Sequence, residues 1–486
     1  MRNLTLLTDL YELTMAQGYW ETGKLQTEAC FYAFYRENPF EGGYGIFCGV
    51  DQIADLVENF AFTDDDIEYL RSLPSPAGTP LFDGKFLEWL RTLELTVDID
   101  AVPEGSVVFP REPLVRVTGP LLQCQLLEAA ILNGINFQTL VATKAARICS
   151  VAQGKPVSEF GLRRAQGPDG ALSSSRAAFV GGCSSVANVL AGKRYGIPVS
   201  GTHAHSWVMS FPDELAAFRA YAETMPDNCI LLVDTYDVKQ GVRNAIQVGH
   251  EMEARGQRLR AIRIDSGDLA WLSRKARAML DAAGLDYVGI ILSNDLDEYT
   301  ISSLNDQGAS YTGLGVGTHL AAAYGQPALG GVYKLSAVRE PGEPWSPRMK
   351  LSEQIYKRTI PGVLDTRRYF DAEGKFSGDL IFDVVDGVSG KPVAVDPLDP
   401  QRRKKFDPAQ NYVTLLAPLV RGGILEQHDL SAHTAQKRCA EQLSHLDGAV
   451  KRFMNPHEYP CGIERGLCDK RRKLAIEAAG SDDLYE

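Results

Sequence analysis

The sequence predicts an α/β protein: an irregular β/α barrel beside an α/β domain built from the N- and C-terminal segments. Three observations lead there. Short apolar runs begin near residues 157, 197, 229, 260, 287 and 311, with amphipathic helical stretches between them, among them 214–224 and 269–283. Alternation at roughly 25–40 residues implies parallel strands joined by right-handed crossovers. This rhythm stops near 340, after which strand-like text (DLIFDVV, YVTLLAPLV) suggests a return to the first domain. Finally, 486 residues exceed what one core can organise, so two or three domains are expected. Six strand–helix units suit a barrel better than a long open sheet, and a doubly wound sheet is the alternative. The expected division is 1–135 (N-terminal α/β domain), 136–340 (barrel) and 341–486 (the returning segment with a helical tail).

The elements follow in order. Asp9 starts a helix to about Trp20, and 30–36 (CFYAFYR) is an aromatic strand closed by a Pro/Gly turn at 39–43. Residues 44–50 form a short apolar strand, and Asp51 caps a helix running to Phe60. Strand-like pieces at 106–109 and 114–117 are divided by Pro110 and Pro113. Residues 121–152 are strongly helical, with Gly134 as the break between two helices. Beyond 340 come the loop PGEPWSP, the basic-polar segment RMKLSEQIYKRTIPG, further strands and the tail.

Composition narrows the function. With 44% hydrophobic residues a core of ordinary size can be buried. A net charge of −12 argues against a nucleic-acid surface, which needs a basic stripe to displace counterions. Nine scattered cysteines without a CxxC pair predict reduced thiols in a cytoplasmic protein. The start MRNLTLLTDLYELTMAQGYW lacks a signal-peptide pattern, and no run of about 18 apolar residues exists, so no membrane partner is expected.

Chemistry should collect where barrel strands end. Those ends carry Glu159, Arg163 and Arg164; Thr202, His203 and His205; Asp234 and Asp237; Arg263, Asp265, Ser266 and Asp268; Ser293, Asn294 and Asp295; and the turn GLGVGTH. Each has a plainer reading. Paired arginines are often a solvated face, a single histidine is often structural, and Asp268 or Asp295 can be only a helix N-cap. A lone GxGxG can mimic a dinucleotide fingerprint, but this one follows the last strand rather than the first. Six successive strands delivering polar groups to one rim outweigh those readings.

Residues 170–212 contain no Asp or Glu but do contain Arg176, Lys193 and Arg194, so this half of the rim suits an anion. The turn at 315–318 offers backbone N–H groups and a hydroxyl for a phosphate. Asp234, Asp265 and Asp268 supply carboxylates for ribose hydroxyls or Mg²⁺. The pattern fits a phosphorylated sugar or nucleotide. His203 and His205 are read as lying on opposite faces of a strand, so a shared zinc is not expected. Nor does the spacing of His457, Cys461 and Cys468 match an ordinary zinc site.

Five ordered motifs, TDLYELTMAQGYW, EFGLRRAQGPDG, GTHAHSW, RIDSGDL and GVGT, resemble the nicotinate phosphoribosyltransferase family of type II phosphoribosyltransferases, from about residue 5 to 365. FMNPHEYP extends the resemblance into the tail. It implies synthesis of nicotinate mononucleotide and diphosphate from nicotinate and phosphoribosyl diphosphate, coupled to ATP hydrolysis, in NAD biosynthesis by nicotinate salvage. It implies a barrel holding the catalytic site, Mg²⁺, and a homodimer pairing head to tail with shared sites. By the same resemblance His205 would be phosphorylated by ATP. Tyr11 of a partner subunit would stack on the pyridine ring, and Thr202 and Arg263 would hold the nicotinate carboxylate. Arg163 would contact phosphate, and Asp234 and Asp265 would position ribose and Mg²⁺, with Asp268 a further candidate for the metal. Val316, Gly317 and Thr318 would bind the 5′-phosphate.

Two departures matter. Where many relatives carry a GTSN-like string, this chain has Ser185, Val186, Ala187 and Asn188; Ala187 stands where nicotinamide-using relatives have an aspartate, which favours the acid over the amide. The tail also lacks the four-cysteine zinc knuckle of some relatives. The competing readings are a nicotinamide- or quinolinate-using enzyme of the same class and a non-catalytic nucleotide-binding homologue.

Overall fold

The computed structural model describes residues 3–352, 354 and 357–479. The chain divides into two compact units, 141–327 and the combination of 1–140 with 328–486.

The central unit is a parallel sheet of six strands: β1 (Val157–Glu159), β2 (Ser185–Val186), β3 (Ile230–Leu232), β4 (Ala261–Ile264), β5 (Gly289–Ser293) and β6 (Gly313–Val316). Their spatial order is β2-β1-β6-β5-β4-β3, so the first and last strands pair with each other and chain order wraps around. Beyond β2, Val199 makes one further parallel bridge to Val186. The hydrogen-bonded ring is then open between the Val199 segment and β3. At that joint the His203 imidazole takes the place of a backbone acceptor, its Nε2 accepting from the Leu232 N–H at 3.1 Å. Most strand residues are buried because helices cover parallel strands, which is why the apolar runs were legible. The following helices are capped by strand-end polar residues. Asn188, Asp237, Asp268 and Asp297 accept from the backbone N–H of Ala191, Gln240, Trp271 and Thr300.

One expectation about these strands needs correction. The apolar run near 197 gives only the single bridge at Val199, and the second strand is Ser185–Val186. A two-residue strand inside the polar text SSVAN shows no apolar run, so local pattern misses it.

In the other unit the two ends of the chain interleave. Glu28–Phe34 lies antiparallel between Val115–Pro120 and Val332–Arg339, and Asp98–Ala101 pairs with Ala417–Arg421, all in one seven-stranded sheet. A six-stranded sheet from residues 364–464 adds a second layer of text, with core residues Tyr32, Phe34, Leu364, Ile381, Ile463 and Leu467 packed together. The tail helix is Arg465–Ala479. Glu353, Ile355 and Tyr356 of the basic-polar segment and residues 480–486 lie outside the described residues.

The N-terminal helix is Leu10–Glu21 and the aromatic strand forms as expected. Asp51 is not the N-cap of its helix. The helix is Val50–Glu58, capped at Gly49, whose φ is +113°. Glu104, from a distant segment, accepts from the N–H groups of Gly49 and Val50 at 2.6 and 3.0 Å and satisfies that helix end. Gly134 is not a break either. The helix Glu128–Val151 runs through it, and the interruption falls at Leu127, after Leu121–Leu126. The close packing of this helix on the Gly49 turn requires a glycine at 49: a Cβ there would stand 2.4 Å from the Gly134 carbonyl oxygen.

This unit also buries a complete charged network. Arg368, Glu112 and Asp379 have fully buried side chains. Arg368 grips Asp379 with Nε and Nη2 and donates Nη1 to Val107 O and Gln442 Oε1. Tyr459 donates its hydroxyl to Asp379 at 2.9 Å. Glu112 accepts from the Phe109 N–H at 2.8 Å. Burial, with the Asp379 carboxylate beside it, holds the Glu112 carboxyl well above the ordinary carboxylate range.

Candidate active site

The rim of the central unit is organised by Arg263, at the third position of β4. Its Nε donates to Ser293 Oγ at 2.8 Å, Nη1 to Thr202 Oγ1 at 3.2 Å and Nη2 to Asp265 Oδ1 at 2.9 Å. The Phe160 ring lies 5.4 Å from its guanidinium carbon. Ser293 in turn donates to Asp265 Oδ1. The guanidinium plane is thus fixed by residues from three strand ends while its side chain stays 15% exposed. A planar fork held this way suits recognition of a carboxylate or phosphate.

His205 starts the helix His205–Met209 and is 41% exposed. Its Nδ1 lies 3.1 Å from Thr235 Oγ1, and its Nε2 lies 3.8 Å from Asp265 Oδ2. His203 faces elsewhere. Its Nε2 accepts from Leu232 N–H, so the ring proton sits on Nδ1 and points to Ala204 O at 3.3 Å. Burial pushes its pKa down, keeping it neutral. Residues two apart on a strand share a face, so strand alternation does not separate these histidines. They separate because the chain turns into a helix at His205 and each ring finds its own partner.

Asp234 Oδ2 accepts from the Asp265 N–H at 3.0 Å and the Ser266 hydroxyl at 2.6 Å. Its Oδ1 is buried and has no hydrogen-bond partner. An orphaned carboxylate oxygen of this kind calls for a cation or a hydroxyl donor. Together with the Asp265 carboxylate it fits Mg²⁺, which is ordinarily held by one or two carboxylates plus substrate oxygens. Asp268 differs, since one of its oxygens already caps the next helix, at 2.9 Å from Trp271 N. Among the described residues no group of three or more His, Cys, Asp or Glu is arranged to hold a metal ion.

The remaining candidates are dispersed around the rim or absorbed by the frame. Arg163 and Arg164 are exposed on the turn Leu162–Arg164. Glu159 is fully buried, accepts from Gly161 N–H and Ser175 Oγ, and is pushed up in pKa by that burial; it braces the loop from below. Ser185 bonds Ser158 across the strands at 2.8 Å, and Asn188 is an N-cap. Val316 is buried and its carbonyl accepts from the Phe160 N–H, whereas Gly317 and Thr318 are half-exposed where Thr318–Ala321 begins. A Cβ on Gly315 would stand 2.5 Å from the Phe160 ring, so a glycine there lets the ring sit under Arg263. After β5, Asn294 and Asp295 both have positive φ, +106° and +37°. Such strain costs of order 1–3 kcal/mol per residue and tends to persist where a turn is shaped for a site.

Tyr11 belongs to the other unit. It lies on the helix Leu10–Glu21 and is 45% exposed, with Leu10 and Met15 also exposed. Partial burial, and then Glu128, push its hydroxyl pKa up. Thr235 was not singled out from sequence. Its hydroxyl sits between two more conspicuous aspartates in DTYD, and only the fold brings it to His205.

Comparison with known proteins agrees along the chain. Residues 6–136 match the nicotinate phosphoribosyltransferase (NAPRTase) N-terminal domain, 156–344 the nicotinate phosphoribosyltransferase (NAPRTase) family, and 365–471 the nicotinate phosphoribosyltransferase C-terminal domain. The nicotinate phosphoribosyltransferase of Bacillus subtilis (strain 168) is 42% identical over 95% of this chain and 93% of its own. That of Homo sapiens is 35% identical over 95% of each. The crystal structure of human nicotinic acid phosphoribosyltransferase superposes with a TM-score of 0.83 at 32% identity, covering 96% of this chain and 99% of that one. The chain belongs to the nicotinate phosphoribosyltransferase family.

Proposed function

We propose that the chain catalyses nicotinate + phosphoribosyl diphosphate + ATP + water → nicotinate mononucleotide + diphosphate + ADP + phosphate. The observation that carries this reading, beside family membership, is the braced Arg263 fork at the rim. With Thr202 it binds the nicotinate carboxylate, and Ala187 leaves no aspartate to accept from an amide, which favours the acid. The pyridine nitrogen attacks ribose C1 as diphosphate leaves, through a transition state with oxocarbenium character. The nitrogen is itself the nucleophile, so the protein positions and neutralises rather than abstracting a proton. Asp234 and Asp265 orient the ribose hydroxyls. Bound Mg²⁺ would supply charge neutralisation for the diphosphate oxygens, held by these two carboxylates. Arg163 contacts phosphate, and Val316, Gly317 and Thr318 receive the 5′-phosphate through backbone N–H groups and a hydroxyl.

His205 accepts the γ-phosphoryl group of ATP, and hydrolysis of that phosphohistidine draws synthesis forward. In a homodimer, Tyr11 of the partner subunit stacks on the pyridine ring; the exposed apolar face of its helix supports this reading. The test is product formation by purified protein. Nicotinate mononucleotide should form from nicotinate and phosphoribosyl diphosphate, with stimulation by ATP. Arg263→Gln should lower kcat/KM for nicotinate by about tenfold or more, the scale of one charge-assisted hydrogen bond. An equal or greater rate with nicotinamide refutes the substrate assignment.

A further inference from the structure

We infer, resting on the reading above that Val316, Gly317 and Thr318 receive the 5′-phosphate, that His319 is a positioning residue: through Asp297 it holds that phosphate turn against the turn that follows β5. Strands β5 and β6 are parallel neighbours, with Ser293 paired to Gly315, so the turns at their C-terminal ends lie side by side. The turn after β5 contains the positive-φ residues Asn294 and Asp295 and ends at Asp297. One Asp297 oxygen accepts from the Thr300 N–H at 2.7 Å and caps the helix Glu298–Asp306. The other lies 3.3 Å from His319 Nδ1, and the Asp297 and His319 side chains are 17% and 21% exposed. Burial pushes the Asp297 carboxyl up, but Thr300 and the charges of His319 and Lys144 outweigh it and hold it below the ordinary carboxylate range. An ionised carboxylate only accepts, so the ring nitrogen that faces it, Nδ1, carries a proton.

His319 is the second residue of the short helix Thr318–Ala321. A helix of one turn has little stability of its own. Buried Leu320 and Ala321 anchor it by apolar packing, and His319 ties it to the neighbouring turn. The His319 ring is stacked on Tyr324, with centroids 4.4 Å apart and planes 7° from parallel, and the Tyr324 N–H donates to the His319 carbonyl at 2.9 Å. Nδ1 is buried and makes no hydrogen bond, so its contact with Asp297 is an ion pair at 3.3 Å without hydrogen-bond alignment. The protonated ring and the carboxylate attract all the same, since Coulombic attraction depends on distance rather than on alignment. The ring thus spans from the residue after Thr318 to the cap that closes the turn after β5. Without this tie the phosphate turn is free to shift, and a misplaced 5′-phosphate weakens binding of phosphoribosyl diphosphate. The nicotinate carboxylate is held by Thr202 and Arg263 from other strand ends, so its binding is untouched.

The test measures initial rates of full-length protein while phosphoribosyl diphosphate is varied. His319→Leu, similar in size, should raise the KM for phosphoribosyl diphosphate by about fivefold, the scale of one ion pair. Its kcat and its KM for nicotinate should change by less than about twofold, a split that general damage to the fold does not produce. Ribose 5-phosphate, which keeps the 5′-phosphate and lacks the diphosphate, should compete with phosphoribosyl diphosphate in wild type, and its inhibition constant should rise in His319→Leu by the same factor. His319→Asn, whose amide N–H can stand where Nδ1–H does, should recover most of the loss. Asp297→Asn keeps the cap acceptor without the charge and should act like His319→Leu, and the double variant should be no worse than either single one. An unchanged KM in His319→Leu, no recovery in His319→Asn, or additive losses in the double variant overturns the inference. Should ribose 5-phosphate fail to compete in wild type while Thr318→Ala keeps the wild-type KM, the placement of the 5′-phosphate is overturned instead.

Discussion

Replacing Glu112 with Gln should leave the fold intact, although Glu112 is fully buried beside a charged pair. The reason is its protonation. Held well above its ordinary value of 4.5 by burial and by Asp379, the carboxyl is neutral in the folded protein and hydrogen-bonds with Asp379. A glutamine amide reproduces that donor, and its carbonyl still accepts from Phe109 N–H. The expected cost at pH 5 is within about 1 kcal/mol, the scale of a re-formed neutral hydrogen bond. Arg368→Met is the contrast. It removes the guanidinium that grips Asp379 and leaves a buried carboxylate uncompensated, which costs about 3–5 kcal/mol. The two should also differ in pH dependence. A folded-state pKa raised above the unfolded one contributes stability that is complete below about 4.5 and is lost as pH rises through the folded pKa. Glu112→Gln lacks this loss, so it should gain on wild type by up to about 1.4 kcal/mol per pH unit above that point. Urea denaturation between pH 4.5 and 8, followed by near- and far-ultraviolet circular dichroism, measures both. If Glu112→Gln costs as much as Arg368→Met, Glu112 is ionised and the reasoning fails.

Two further outcomes are expected. His203→Phe keeps an aromatic ring but leaves the Leu232 N–H without an acceptor; a loss of about 1–3 kcal/mol in the denaturation midpoint is expected, and a neutral result would mean another acceptor closes that joint. Glu12, buried and bonded by Thr8 Oγ1 and Ala129 N–H, has its carboxyl pushed up to about 7 by burial. Its proton therefore stabilises the fold fully below about 4.5, a contribution lost as pH rises through about 7. Glu12→Gln should flatten the pH dependence of stability across that window, and an unchanged slope would refute the assignment.

Strands legible in the sequence were those largely buried, where the apolar run is unbroken, as in CILLV, or interrupted by one residue, as Arg263 interrupts AIRI. Ser185–Val186 was illegible because two residues cannot show a period. The misplaced helix cap and helix break share a different cause. Gly49 packs against the Gly134 backbone 85 positions away, and Glu104 caps a helix from 54 positions downstream of Val50; no local window holds such information. At the rim, the grouping of Thr202, Arg263, Asp265 and Ser293 followed from their placement at strand ends. The link from Thr235 to His205 did not, because which rotamer a hydroxyl takes is decided by packing rather than by sequence order.

The open joint between Val199 and β3 has a consequence for how the chain can vary. A ladder of backbone bonds fixes strand register along its whole length, and a one-residue slip inverts every side chain. A joint made by one imidazole imposes no such register. The segment after Val199 can therefore lengthen or shorten without dismantling a ladder, provided that a side-chain acceptor still reaches Leu232 N–H. The loop that carries Thr202, His203 and His205 is in this sense held by individual side-chain bonds, to Arg263, Leu232 and Thr235, rather than zipped by a ladder.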